Sequence, residues 1–176
     1  EEKFTFSSVF IINNKGEVKD EWYGRTVINS DFRFSYEEVQ NILETQKEEV
    51  DALVSLTKVS YKIPSPVFDA INILDKQAKI LRSKRMKNGA ISFDRVEVNF
   101  ILDDDDKPES VFFKTSKDAH KLIEEFMLLA NRKVASFISK KQPAPPFVYR
   151  THDDPDEQKL LNLKHTIAPF GYSFNP

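Results

Sequence analysis

Residues 118 to 138, DAHKLIEEFMLLANRKVASFI, constrain the fold more than any other stretch. At helical spacing, Ile123, Phe126, Met127, Ala130, Val134 and Phe137 make one apolar stripe. Leu122, Leu128 and Leu129 then make the same helix apolar on other sides. A helix that is apolar nearly all round is buried, so the rest of the chain has to cover it. Within it stand two adjacent carboxylates, Glu124 and Glu125. His120, Glu124 and Asn131 share one flank, while Glu125 falls on the opposite flank near Lys121 and Arg132. From pattern alone the pair reads first as solvated or paired between helices; because a buried carboxylate needs a partner or a ligand, it is also a candidate site.

The remaining elements follow from turn chemistry and periodicity. FTFSSVFIINNKGEVKDEWYGRTVI is an expected hairpin: Phe4, Phe6, Phe10 and Ile12 alternate, Asn14-Lys15-Gly16 turns the chain, and Val18, Trp22 and Val27 return. Ser35 and Glu38 have capping-box spacing, which starts a helix at Tyr36. Residues 47 to 63 are weakly patterned and read as a short helix and a loop. The next helix is expected with Ser65 as N-cap and Pro66 at N1, an apolar stripe of Val67, Ala70, Ile71, Leu74, Ala78 and Leu81, and Gly89 as its stop. A second hairpin is expected around the tip DDDDKPE, from ISFDRVEVNFIL to SVFFKTS. Ser116 or Asp118 opens the long apolar helix. QPAPPFVYRTH is too rich in proline for a helix. A last helix is expected with Asp154 as N-cap, Pro155 at N1 and Gly171 as its stop. Hairpins alternating with helix pairs predict an α+β fold, with antiparallel hairpins forming a sheet packed with helices.

Composition narrows the function. The chain has 176 residues, enough for one domain with a core. It carries net charge −2, so bulk electrostatics give no nucleic-acid signature. No apolar run reaches the length of a membrane span, and the first residues are no secretory signal, so no membrane partner is expected. The absence of cysteine suits a cytoplasmic location. A first residue other than Met, two positions from a strand, reads as the start of an excised piece. Four consecutive aspartates, Asp103 to Asp106, are better read as a hairpin tip than as a metal site, because neighbouring side chains diverge. The three histidines, His120, His152 and His165, have no metal-ligand spacing. Lys76, Lys79, Arg82, Lys84, Arg85 and Lys87 form a basic cluster, read either as a solvated helix face or as a track for a nucleic-acid backbone.

Three stretches in order, WYGRTVINSDFRFSYEEVQ, LDKQAKILRSKRMKNGAISFDRVEVNF and DAHKLIEEFMLLANRKVASFI, followed by YRTHDDP, resemble the RNB catalytic domain of the RNase II/ribonuclease R family. HKLIEEFMLLAN is the most specific block. The resemblance implies a processive 3′→5′ exoribonuclease that uses Mg²⁺ and releases nucleoside monophosphates. It implies that Tyr36 meets the 3′-terminal nucleotide near its sugar and that Phe93, in GAISF, stacks on the last bases. One of Glu124 and Glu125 would accept from a ribose 2′-OH, and Arg150 and His152 would lie near the RNA channel. The partner implied is single-stranded RNA. Sequence-tolerant stacking suits an exonuclease, and a 2′-OH acceptor separates RNA from DNA.

The chain also departs from the family pattern. The aspartate cluster spaced D-x5-D-x-D-D, the downstream arginine segment and the accessory RNA-binding domains do not occur in it. Two-metal hydrolysis needs those carboxylates. The expectation is therefore a partial RNB domain over 1–176, inactive alone, whose metal ligands and further partners are the remainder of its own nuclease domain and RNA-binding domains. The alternative is a non-catalytic RNA-binding or scaffold module derived from that domain.

Overall fold

The protein is represented by a computed structural model describing residues 1–91, 97–103, 105–143 and 145–175. Phe93 and Asp104 lie outside the described residues. The chain divides into two compact units, Glu1–Phe137 and Ile138–Pro176. The first contains β1 (Glu2–Ile12), β2 (Val18–Asn29), α1 (Tyr36–Thr45), β3 (Glu49–Val50), β4 (Tyr61–Lys62), α2 (Ser65–Lys87), β5 (Glu97–Leu102), β6 (Pro108–Lys114) and nearly all of α3 (Asp118–Ser139). The second contains α4 (Glu157–Ile167), followed by a short 3-10 turn, Ala168–Phe170. The α+β class holds. Among the described residues the strands form three separate antiparallel pairs, β1-β2, β3-β4 and β5-β6.

The first hairpin closes where its turn residues demand it. Asn13 Oδ1 accepts from the amides of Lys15 and Glu17, both at 3.0 Å. Gly16 takes φ +69°, open to glycine at no steric cost. The tip packs on α2 so tightly that a Cβ at Gly16 would lie 2.8 Å from Ile80 Cγ2. The Phe4-to-Ile12 face is covered only at the turn end, where Phe10 meets Tyr23 and Tyr23 meets Phe137 at 4.5 Å between ring centroids. Phe4 and Phe6 at the far end are exposed.

The core centres on Ile42, Val50, Ile63 and Ile71, which join α1, the β3-β4 segment and α2. Residues 47 to 63 differ from expectation: they contain no helix and are gathered by the two-residue β3-β4 pair. Glu38 explains why. Its Oε2 closes the capping box on the Ser35 amide at 2.7 Å, with Ser35 Oγ accepting from the Glu38 amide. Its Oε1 accepts from the Leu56 amide at 3.2 Å and from the Tyr61 hydroxyl at 3.1 Å. One buried side chain thus caps α1 and pins the loop. Burial alone would push the Glu38 carboxyl up, but these bonds outweigh it and hold it below the ordinary carboxylate value. Burial and the same bond push Tyr61 up to about 12.

Two helix starts also differ. The N-cap of α2 is Pro64, whose carbonyl accepts from Val67 and Phe68, so Ser65 is already helical. Pro66 is tolerated there because amides of a first turn have no intrahelical acceptor. The N-cap of α4 is Asp156, not Asp154, because Asp156 Oδ1 reaches the Lys159 amide at 2.9 Å. Gly89, at φ +90°, ends α2 as expected.

Candidate nucleic-acid interface

The buried line of α3 is Ala119, Leu122 and Glu125. The stripe read from the sequence is rotated: Ile123 and Met127 are exposed, and Glu125 points inward rather than along a flank. Its partner comes from α2. Arg85 Nε lies 3.2 Å from each Glu125 oxygen, and Arg85 Nη2 lies 2.6 Å from Oε1. The same Nη2 donates to Glu124 Oε1 at 3.0 Å. Arg82 Nη1 stands 3.6 Å from Glu125 Oε1 and 3.9 Å from Glu124 Oε1. Two guanidiniums therefore neutralise two carboxylates between the helices. Charge-assisted, fork-shaped bonding of this kind is what lets ions be buried at all. The bond from Glu125 raises the Arg85 pKa further.

The two glutamates have different freedom. The Glu125 side chain is 3% exposed and both its oxygens are engaged by Arg85. The Glu124 side chain is 41% exposed. Its Oε1 faces the clamp, and its Oε2 takes no hydrogen bond among the described residues. The basic cluster divides in the same way. Arg82 and Arg85 turn to the glutamates, and Lys79 bridges Asp75 at 2.7 Å and Asp118 at 3.1 Å. Lys76, Lys84 and Lys87 stay on the exposed side of α2.

Tyr36, the first residue of α1, is 42% exposed. Its ring stacks on His120, with centroids 4.2 Å apart and planes 13° from parallel. His120 sits one helical turn before Glu124 on α3, so the two are neighbours on one face of that helix. Between α1, β6 and the start of α3 opens a cleft of about 390 Å³, lined in part by Tyr36, Gln40, Phe112, Phe113, Lys117 and His120. Aromatic faces on its walls suit flat, uncharged groups. His120 and the two phenylalanines were not singled out for this cleft by sequence; the i, i+4 spacing of His120 and Glu124 was the available signal.

Arg150 and His152 are exposed in the second unit, beyond the edge-on pair Phe147 and Tyr149. A metal finds no donor set among the described residues: no three His, Cys, Asp or Glu side chains gather to hold an ion. Asp103 Oδ1 instead accepts from the amides of Asp105 and Lys107, the turn role expected of a hairpin tip.

The backbone matches that of Mycoplasma genitalium RNase R, solved in complex with ribose methylated single-stranded RNA, with a TM-score of 0.80 at 22% identity over 99% of this chain and 26% of that one. The chain thus shares the fold of the corresponding part of that protein. The RNB domain model matches residues 1–174, and the chain belongs to the RNB domain family. It is 32% identical to the DIS3-like exonuclease 2 of Caenorhabditis elegans over 97% of this chain and 20% of that protein. It is 30% identical to Ribonuclease R 2 of Lactococcus lactis over 99% of this chain and 25% of that protein. The chain therefore spans about a quarter or less of the length of these relatives.

Proposed function

We propose that this chain is the RNA-gripping portion of a 3′→5′ exoribonuclease that hydrolyses single-stranded RNA to nucleoside monophosphates. The observation that carries the reading is the Tyr36–His120 stack beside an aromatic-lined cleft, with the part-exposed Glu124 one helical turn after His120 on α3. Tyr36 meets the terminal nucleotide at its sugar, and Phe93 stacks on the last bases. Of the two glutamates, Glu124 is the ribose 2′-OH acceptor, because its side chain is 41% exposed while Glu125 is buried and taken up by Arg85. Glu125 holds its neighbour's position through that shared guanidinium. Arg150 and His152, in the second unit, also contact RNA.

The Mg²⁺ implied by the family resemblance has no fitting donor set among the described residues. Its ligands are carboxylates outside residues 1–176, and these residues alone bind RNA without cutting it. The test is digestion of a 5′-labelled single-stranded RNA with Mg²⁺ by the full-length protein and by residues 1–176. The reading expects 3′ shortening with release of nucleoside monophosphates by the first, and binding without turnover by the second. Cleavage by residues 1–176 would refute the assignment of the metal ligands. A second reading, a non-catalytic RNA-binding module, draws on the neutralised glutamate cluster, and binding without digestion by the full-length protein would establish it.

A further inference from the structure

Three residues one turn apart on α1, Tyr36, Gln40 and Glu44, meet the start of α3 in series. Tyr36 stacks on His120. Gln40 Oε1 accepts from the Ala119 amide at 3.0 Å, and its Nε2 donates to Glu44 Oε1 at 2.9 Å. Glu44 Oε1 also receives Lys117 Nζ at 3.2 Å. The Ala119 amide belongs to the first turn of α3, where backbone donors lack intrahelical acceptors. A side chain from another helix therefore caps α3, immediately before the residue that stacks on Tyr36. The amide orientation of Gln40 is fixed at both ends, since turning it over would set its NH₂ against the Ala119 N–H and its oxygen against the Glu44 carboxylate.

A tyrosine on the first turn of a helix, nearly half exposed, has rotamer freedom on its own. Here one face of its ring is covered by a parallel imidazole at van der Waals separation. We infer that His120 is a positioning residue: its ring fixes the plane of the Tyr36 phenol, and Gln40 sets the distance between the two helices that makes the stack possible. This rests on the reading that Tyr36 meets the terminal nucleotide. His120 then acts through Tyr36, and its ring shape matters more than its charge.

The test uses the full-length protein and a single-stranded ribo-oligonucleotide carrying 2-aminopurine at its 3′ end, whose quenching reports stacking. Tyr36→Ala is expected to weaken binding about tenfold or more and to relieve the quenching. His120→Ala is expected to weaken binding about two- to tenfold with the same relief, as loss of one aromatic pair predicts. His120→Phe, which keeps a flat ring, is expected to stay within about twofold of the parent. Unchanged quenching in His120→Ala while Tyr36→Ala loses it would overturn the inference and leave the Tyr36 reading intact. Equal losses in His120→Ala and His120→Phe would overturn it too. No effect of Tyr36→Ala would bring down that reading and the inference with it. Should His120→Ala fail to fold, Gln40→Met is read in its place: relief of quenching supports the inference and parental quenching overturns it.

Discussion

The Arg85 guanidinium holds the Glu125 carboxylate side-on, with Nε 3.2 Å from both oxygens and Nη2 2.6 Å from Oε1. The bridge ties the last turns of α2 to the middle of α3, and it answers why an apolar helix tolerates an inward carboxylate. Removing one partner leaves the other charge buried. Arg85→Ala is therefore expected to lower unfolding stability by about 3–5 kcal/mol in urea titration. The double variant Arg85→Met with Glu125→Met, which removes the buried pair together and leaves Arg82 beside Glu124, is expected to recover most of that loss. A loss under about 1 kcal/mol in the single variant would show the pair to be weakly coupled to folding.

Glu38 gives the fold a defined acid sensitivity. Its folded carboxyl lies below the ordinary value of 4.5, so the native state binds its proton less readily than the unfolded chain does. The stabilisation is present above 4.5 and is lost as pH falls through the depressed folded value. Thermal melts from pH 7 to pH 2 should show a fall in Tm that is shallower in Glu38→Gln. Identical pH profiles in the two proteins would count against this role.

Gly16 is a steric test of the hairpin's seat on α2. Its positive φ and the 2.8 Å approach to Ile80 Cγ2 both oppose a side chain. Gly16→Ala is expected to cost about 1–3 kcal/mol, read as a lower midpoint in urea. The same substitution at Gly89, where nothing lies within 4 Å of the added Cβ, carries the φ penalty alone and is expected to cost less. Equal losses at the two positions would show that the hairpin tip is not tightly seated.

Elements with local causes were legible in the sequence. The Ser35–Glu38 capping box, the turn at Asn14-Lys15-Gly16 and the Gly89 stop depend on residues within a few positions of one another, and they stand as expected, with Asn13 supplying the turn's side-chain acceptor. The features that were missed depend on long-range partners. Residues 47 to 63 carry little periodicity because a side chain from α1 organises them through Leu56 and Tyr61. The α3 stripe was rotated because its inward face includes Glu125, which apolar counting assigns to the surface. Arg85 lies 40 positions away, and nothing local marks it as the partner. The Tyr36–His120 stack likewise joins two helix starts with no sequence signal linking them.

The central claim is that Glu124 reads the ribose of a strand held at Tyr36. The direct measurement is equilibrium binding of the full-length protein, without divalent metal, to a single-stranded RNA and to the same strand with 2′-deoxyribose at its 3′-terminal nucleotides. The account predicts tighter binding to the all-ribose strand, and loss of that preference in Glu124→Ala while Glu124→Ala still binds the deoxy-ended strand as the parent does. Equal affinity of the parent for the two strands, or a preference that survives Glu124→Ala, would contradict it.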